Sequence, residues 1–517
     1  METKNCISKR ISFEIANSVN NILVYLISFV FSMFIFSCIL QAQGSRQDSI
    51  NAFVRWRYID ATSTGTLCRT DNTGFYQLIN WDINNRRAAL YNNNDSIPLW
   101  EFPALVNSIA MSRNGNLVAI SSPDKIYVLD KITGDVVNEF ILNVIPGAIS
   151  GGPIEMVSDG SFIIATASAG DSDSCWVFGF QSGSTSEIWK HKIYHSAYGM
   201  KISGNDSIVI VNSYNQVAVY ETFTGIERFS TTINGCQNSM GISGNGDIIA
   251  TIDLHGWLKV YHWDGSNYTL LWQRMEPPTN YYNWMSAVDV SYDGSLIACG
   301  TLNFPTDTTE DGKVLLFKTT SGPTPQWTYT GTGNIVTSVS FSKNGNILSA
   351  CSWGDKSNLI NDLLIFNTES AIPIFSLNSP GSFFSCSTSS NGATVIASGK
   401  SVHAGIFGHG GMVYNIAVDT NNINAVNNSI IEDFDSFSCF PNPFVSTTKI
   451  KFELKENTNV IIDIYNMNGN KIINLINKEM NAGIHTIEWN AENYNAGIYF
   501  CRIITEKGNG ILKIIHL

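Results

Sequence analysis

Between residues 50 and 419 the chain repeats one pattern of apolar and polar positions. Each copy begins with a short strand in which apolar and polar residues alternate, as at residues 339–342, and a polar turn leads into a strand of small and apolar residues. An apolar strand and a final strand follow after further polar segments. Alternation with a period of two predicts β-strands, and no segment has the longer period of an amphipathic helix. The pattern therefore predicts an all-β domain.

One turn residue marks each copy of the repeat, and eight such residues stand 40 to 51 residues apart. They are Gly74, Gly115, Gly160, Asp206, Gly246, Gly294, Gly345 and Gly392. A four-stranded unit occupies about this length, and radial repetition of such units gives a β-propeller. We expect eight blades. Seven blades are the alternative, because the strand before Gly74 at residues 66–69 is weakly patterned.

The final strand of several repeats contains tryptophan. The four examples are Trp100, Trp189, Trp272 and Trp327. The last repeat ends at residues 414–418 without such a strand, but an unpaired copy with Trp56 at its centre stands before the first turn. We therefore expect the N-terminal strand to complete the last blade, which would leave no open sheet edge.

This repeat resembles that of the WD-repeat and quinoprotein-like β-propellers, and its tryptophan-containing strands are nearer to the quinoprotein branch. The resemblance covers about 370 residues. It implies the architecture and fixes no activity. A quinoprotein dehydrogenase would carry an adjacent cysteine pair beside its cofactor, and this chain has no adjacent cysteines. We therefore expect no cofactor.

The last 82 residues, 436–517, contain a second and different set of strands. Its markers are Pro441, Asn442, Pro443, Gly469, Gly483, Gly497 and Lys513. In this order they resemble the C-terminal sorting domain of cargo for the type IX secretion system of Bacteroidetes-type bacteria. The resemblance implies a small Ig-like β-sandwich, the type IX machinery as a partner, and delivery through the periplasm to the outer-membrane surface or the medium. Residues 420–435 are polar and Asn-rich and predict a linker.

The first 43 residues predict a cleaved signal peptide. Three basic residues, Lys4, Lys9 and Arg10, precede an apolar run at residues 22–40, and small residues follow near position 42. An uncleaved anchor is one alternative, because nineteen apolar residues could just span a bilayer. A lipoprotein signal at residues 36–38 is another. We find no other segment long and apolar enough to cross a membrane.

Charge and cysteine usage exclude two further classes of protein. The chain has 31 basic and 43 acidic side chains. Nucleic-acid binding needs clustered Lys and Arg, so we expect no nucleic-acid partner. The eight cysteines beyond residue 43 form no CxxC motif, and the histidines have no metal-ligand spacing, so we expect no metal site.

Lengthened loops in three successive repeats predict a binding surface. They span residues 301–312, 353–362 and 399–411, and propeller geometry opens them on the same face as the aromatic-rich link at residues 276–284. The sector would bring Tyr281, Tyr282, Trp284, Phe304 and Trp353 near Asp307, Asp311, Asp355 and Asp362. Aromatic faces beside carboxylates suit sugar rings or peptides. The alternative is that these surface loops vary in sequence and length without a functional role, and that their aromatic side chains only pack locally.

The sequence favours a secreted or cell-surface propeller that binds a glycan, peptide or partner without catalysing a reaction. We find no GxSxG elbow, HExxH motif or phosphate-binding loop, and we assign no catalytic residue. One alternative is a polysaccharide lyase or hydrolase whose carboxylates come from several blades and leave no linear motif. A structural surface protein without a small ligand is the third hypothesis.

Overall fold

The computed structural model describes residues 52–142, 148–169, 173–235, 240–276, 283–304, 310–420, 434–466, 471–505 and 509–517. The described residues form strands, turns and one short 3-10 segment, Thr319–Ser321, and they include no α-helix. In this part of the chain no helix is long and apolar enough to cross a membrane. The all-β class is confirmed. The predicted signal peptide, residues 1–43, and most of the predicted linker lie outside the described residues.

The described residues between 52 and 418 form eight four-stranded antiparallel sheets, here numbered in chain order. Sheet 1 contains β2 (Ser63–Thr70), β3 (Tyr76–Ile83), β4 (Arg87–Asn92) and β5 (Trp100–Pro103). Sheet 2 contains β6 (Ser108–Met111), β7 (Leu117–Ser121), β8 (Lys125–Asp130) and β9 (Val136–Ile141). Sheet 3 contains β10 (Ala148–Met156), β11 (Phe162–Ala169), β12 (Ser174–Gln181) and β13 (Trp189–Tyr194). Sheet 4 contains β14 (Ala197–Ile202), β15 (Ile208–Ser213), β16 (Gln216–Glu221) and β17 (Glu227–Thr232).

The next three sheets repeat this order. Sheet 5 contains β18 (Met240–Ile242), β19 (Ile248–Ile252), β20 (Trp257–Trp263) and β21 (Tyr268–Met275). Sheet 6 contains β22 (Asn283–Val290), β23 (Leu296–Asn303), β24 (Lys313–Lys318) and β25 (Trp327–Thr330). Sheet 7 contains β26 (Val336–Phe341), β27 (Ile347–Ser352), β28 (Leu363–Asn367) and β29 (Pro373–Leu377).

Sheet 8 joins the two ends of this region. It contains β30 (Ser382–Thr388), β31 (Thr394–Lys400) and β32 (Gly411–Val418), and its outer strand is β1 (Ala52–Asp60). The β1–β32 register runs antiparallel from Ala52 opposite Val418 to Asp60 opposite Gly411. The N-terminal strand therefore occupies the place that the tryptophan pattern predicts.

One turn joins the first two strands of all eight sheets. The N–H of its first residue donates to the carbonyl five residues later, from Asp71 to Tyr76 at 3.2 Å in sheet 1 and from Ser389 to Thr394 at 2.9 Å in sheet 8. Seven of the eight predicted turn residues have a positive φ, which favours glycine. Gly115 differs, because a Cβ there would collide with the carbonyl of Asp159. The same residue type thus serves the turn for two different steric reasons.

The first strands of successive sheets contact one another in order, from β2 through β6, β10, β14, β18, β22 and β26 to β30. β30 in turn contacts β2. A backbone hydrogen bond of 3.2 Å from Ser390 N–H to the Asn72 carbonyl links sheet 8 to sheet 1, and Asn72 N–H donates to Arg113 of sheet 2 at the same distance. Apolar side chains fill the space between adjacent sheets, as where Ile126 and Phe140 of sheet 2 meet Phe178 of sheet 3.

Tryptophans in the outer strands of five sheets link each of these sheets to the next one. Each indole N–H donates to a backbone carbonyl that follows the third strand of the neighbouring sheet. The pairs are Trp100 with Lys131, Trp189 with Thr222, Trp272 with Thr319, and Trp327 with Thr368, at 2.8–2.9 Å. Trp56 repeats this bond with Asn92 at 2.9 Å, from sheet 8 to sheet 1. The tryptophan pattern therefore marks contacts between sheets.

The C-terminal strands form two further sheets around their own core. The first contains β33 (Phe434–Phe440), β34 (Thr447–Leu454) and β37 (Gly483–Asn490). The second contains β36 (Lys471–Met480), β35 (Thr458–Asn466), β38 (Gly497–Ile504) and β39 (Asn509–His516). Phe452 and Trp489 of the first sheet and Ile462 and Cys501 of the second are buried in one cluster. This two-sheet arrangement agrees with the predicted sandwich.

Trp56 should be critical for stability. Its side chain is 8% exposed, and its ring lies 5.5 Å from that of Tyr91 in sheet 1. Trp56→Ala should lower the free energy of unfolding by about 3–5 kcal/mol, as for other buried tryptophans. Arg57→Ala, on the exposed face of the same strand, should change it by no more than about 0.5 kcal/mol. Denaturant unfolding of both variants measures the difference, and equal effects would contradict the role of Trp56.

A chain trimmed to begin at Asp60 should also aggregate more, because the edge of β32 is then unpaired.

Candidate functional site

Three of the five predicted rim aromatics, Trp284, Phe304 and Trp353, lie in the described residues, and each packs against another ring. Trp284, near the start of β22, is half-buried with its ring centre 6.2 Å from that of Phe304. Trp353 follows β27 and is also half-buried, 6.3 Å from Phe384 of sheet 8. Tyr281, Tyr282 and Asp307 lie outside the described residues. Trp353 therefore bridges sheets 7 and 8, while Trp284 packs within sheet 6.

The Asp355 carboxylate organises the loop that begins at Trp353. One oxygen accepts the backbone N–H groups of Leu359 and Ile360, each at 2.7 Å, and the other accepts that of Ser357 at 3.0 Å. Burial alone would raise the pKa of Asp355, but these backbone hydrogen bonds outweigh it and hold the pKa below its usual range. The carboxylate is thus held in the charged state as a cap for its own loop.

Asp362 and His403 are buried beneath the same loops, and each is 2% exposed. Asp362 accepts hydrogen bonds from the N–H of Ser379 at 2.9 Å and from its hydroxyl. Burial raises the pKa of Asp362 to about 7, although the bonds from Ser379 oppose that shift. His403 Nδ1 accepts the Gly405 N–H at 3.0 Å, so its Nε2 carries the proton and donates to the Gly354 carbonyl at 3.3 Å. His403 thereby ties the last long loop to the one that follows β27.

Asp311 has a comparable structural role. Its carboxylate accepts the N–H of Gly312 at 2.7 Å and that of Gly333 at 3.3 Å, which connects the long loop of sheet 6 to the chain entering sheet 7. The described carboxylates of the predicted rim therefore bind the protein's own backbone. These hydrogen bonds fix the conformation of the loops. The aromatic rings are then the groups that could provide contact area for a ligand.

A cavity of about 250 Å³ lies at the turn ends of the first strands, where sequence reasoning placed no site. Residues from seven of the eight sheets line it, and five of its charged members are Arg69, Arg113, Glu155, Lys201 and Asp289. Within the described residues no group of three His, Cys, Asp or Glu side chains could hold a metal ion. The cavity is thus lined by charges of both signs.

Ion pairs connect most of these charged groups. Arg69 and Glu155 approach to 3.4 Å, and Lys201 and Asp289 to 2.9 Å. Arg113 pairs with Asp206 at 2.5 Å. Burial raises the pKa of Glu155, and the positive charges of Arg69, Arg113 and Lys201 oppose that shift. Aligning the repeats on their turns could have found this cluster, because Arg69, Glu155, Lys201 and Asp289 each stand two residues before the turn.

The predicted sorting motif is an anchoring point of the C-terminal sandwich. The Asn442 side-chain oxygen accepts the Ile515 N–H at 2.8 Å, and the Thr448 hydroxyl donates to the Pro441 carbonyl at 2.7 Å. The Asn442 bond ties the start of the sandwich to its last strand, and the Thr448 bond ties it to β34; Pro443 follows Asn442 directly. Gly483 begins β37 with φ +122°, and Gly497 begins β38.

The two remaining members of the motif are Gly469 and Lys513. Gly469 lies outside the described residues. Lys513 lies on β39 opposite Phe500.

Comparison with known proteins agrees with this part of the fold. Residues 438–516 match the family model of the secretion system C-terminal sorting domain. No curated protein matches the chain significantly. The C-terminal segment is therefore a sorting domain of the type IX system. It marks the chain as cargo for secretion or cell-surface attachment in Bacteroidetes, and it implies interaction with the type IX secretion machinery.

Asp362 should make stability depend on pH. Because its folded pKa of about 7 lies above the ordinary value of about 3.9, the folded state binds more protons between these values, and stability falls as pH rises through this window. Asp362→Asn should abolish a loss of about 2–3 kcal/mol between about pH 5 and pH 8. Ser379→Ala, which keeps the carboxyl group, should retain the loss. Denaturant unfolding at the two pH values tests this, and an unchanged pH profile in Asp362→Asn would contradict it.

Proposed function

We propose that this protein is an exported binding protein without catalytic activity, in which a β-propeller is carried across the outer membrane by its sorting domain. The match of residues 438–516 to the sorting-domain family carries the export part of the proposal. The proposed organisation is a signal peptide over residues 1–43, a propeller over 50–419, a linker over 420–435 and the sorting domain over 436–517. The protein would reach the outer-membrane surface or the medium through the periplasm.

A closed propeller with eight blades, similar to the WD-repeat and quinoprotein-like propellers, is part of this proposal. Two observations support it. The first strands contact one another in sequence, and the contact of β30 with β2 joins the last sheet to the first. The Trp56 hydrogen bond to Asn92 also repeats, between sheets 8 and 1, the bond that tryptophans make between other neighbouring sheets. Eight equivalent turns favour eight blades over seven.

The proposed binding surface is the loop rim that includes Tyr281, Tyr282, Trp284 and Trp353. The internal hydrogen bonds of Asp355 and Asp362 support it, because a ligand bound on firm loops loses less free energy to ordering them. Trp284 and Trp353 are half-buried, so part of each residue remains accessible for contact. A glycan or a peptide fits such a surface, with the rings supplying apolar contact.

The geometry does not favour the polysaccharide lyase or hydrolase. A glycosidase needs two carboxyl groups placed to act as acid and as base or nucleophile. In the cavity, Glu155 pairs with Arg69 and Asp289 with Lys201. The carboxylates that structure the rim are likewise engaged with backbone N–H groups.

Deletion of residues 436–517 should leave the propeller folded in the periplasm. The propeller has its own clusters of buried residues and does not need the sandwich core. Fractionation of cells that express the truncated and the full-length chains tests the location, and thermal unfolding of the purified truncated chain tests its fold. Normal surface delivery of the truncated chain would contradict the proposal.

Truncation of the rim aromatics separates binding from packing. If the rim binds a ligand, Trp284→Ala or Trp353→Ala should weaken binding to a responding glycan or peptide by about 2 kcal/mol or more. Trp263→Ala is the matched control, because Trp263 is half-buried in β20 against Tyr268, at 5.0 Å between ring centres, and lies outside the rim. It should change stability alone. Loss of stability without loss of binding in both rim variants would contradict the site, and titration of a glycan and peptide panel with melting curves measures both.

A further inference from the structure

Four of the six charged residues that line the cavity form a ring of alternating sign. Arg69, Glu155, Lys201 and Asp289 stand at equivalent positions in sheets 1, 3, 4 and 6, two residues before the shared turn. Their order around the ring is therefore positive, negative, positive, negative. Arg113, which directly follows the first turn residue of sheet 2, adds a third cation to the lining, and Asp71, the first turn residue of sheet 1, adds a third anion.

In the other four sheets a small residue stands at the same position, and these small residues leave space at the centre of the cavity. Sheet 2 has Ala110 there and sheet 5 has Gly241, while sheets 7 and 8 have Ser340 and Ser387. Because Ala110 and Gly241 carry no long side chain, each ion pair reaches across one whole sheet. The remaining space of about 250 Å³ is below the roughly 300–1,000 Å³ of drug-sized sites and holds several times the roughly 30 Å³ of one water molecule.

The two ion pairs differ in how completely their groups are satisfied. Asp289 accepts Lys201 at 2.9 Å with one oxygen and the Phe341 N–H at 3.0 Å with the other. Arg69 and Glu155 approach only to 3.4 Å, beyond the roughly 2.7–2.9 Å of a strong charge-assisted bond. Exposure does not separate the two pairs, because it is 31% and 20% for the side chains of Arg69 and Glu155 and 29% and 19% for those of Lys201 and Asp289. The Arg69–Glu155 pair is thus loose, and water-sized groups can reach it.

We propose that this cavity binds a small zwitterion of amino-acid size, at a site separate from the loop rim. Its carboxylate contacts the guanidinium groups of Arg69 and Arg113, and its ammonium group contacts Glu155. A guanidinium can donate two parallel hydrogen bonds to a carboxylate, which is the stronger arrangement. Lys201 and Asp289 hold the opposite side of the ring. A purely anionic ligand fits less well, because Glu155 and Asp289 would repel it.

The test uses the mature full-length protein and three sets of probes. They are free amino acids, the matching carboxylic acids without the amine, and the matching amines without the carboxylate. At least one amino acid should raise the melting temperature and give a binding isotherm, since a ligand that binds only the folded state stabilises it. The acids and amines should bind about tenfold more weakly or worse.

Three variants locate the site. Arg69→Gln and Glu155→Gln should each weaken the amino acid's binding about tenfold to a hundredfold. Arg228→Gln removes an ion pair of 2.8 Å with Glu221 in sheet 4, outside the cavity lining, and should leave the affinity unchanged. The melting curve of each variant without ligand shows whether it has folded.

Two results would overturn the proposal, and both can be obtained on the unaltered protein alone. If no amino acid in the panel changes the melting curve or binds, the ring of charges only fastens the sheets together. If carboxylic acids bind as tightly as the amino acids, the site recognises an anion, and the assigned role of Glu155 is wrong.

Discussion

The pairing of β1 with β32 is the contact on which the rest of the propeller-like region depends, because it brings two segments about 350 residues apart into one sheet. Without β1, sheet 8 would end in an unpaired edge, and several links to sheet 1 would be lost. One is the Trp56 bond to Asn92. Another is the ion pair of Asp60 with Arg87 at 2.9 Å, in which the Arg87 side chain is only 4% exposed. Removing one partner of such a buried pair typically costs about 3–5 kcal/mol.

The repeated sheets separate residues that build the scaffold from residues that are free to vary. The turn before each second strand recurs in all eight sheets, and the tryptophan of the outer strand recurs in five, where its indole N–H bonds to the next sheet. The side chain two residues before the turn makes no contact that recurs in all eight sheets, so this residue can be Ala110 in one sheet and Glu155 in another. Variation at one scaffold position thus creates the charged cavity, while variation in loop length creates the rim. The sorting domain adds an export signal that depends on neither the cavity nor the rim.

Local chemistry explains which features were predictable from the sequence. The turn residues, the strands and the place of β1 follow from glycine geometry and from a repeated tryptophan, which are properties of short segments. The rim was harder, since Asp362 and His403 become buried only where loops from different sheets fold over one another. The cavity was missed because its ion pairs depend on register between distant repeats, and Arg69 and Glu155 lie 86 residues apart. The steric reason for Gly115 could not be predicted for the same reason, because the Asp159 carbonyl that a Cβ would meet belongs to the next repeat.

Native-state hydrogen exchange across residues 52–60 and 411–418 tests the closed ring most directly. In a closed ring no sheet is an end, so the slowest amides of β1 and β32 should exchange with the same free energy as those of a middle sheet such as β15 and β16, in one cooperative opening. An open array would fray from its ends. Exchange of β1 and β32 at a clearly lower free energy than β15 and β16 would contradict the account.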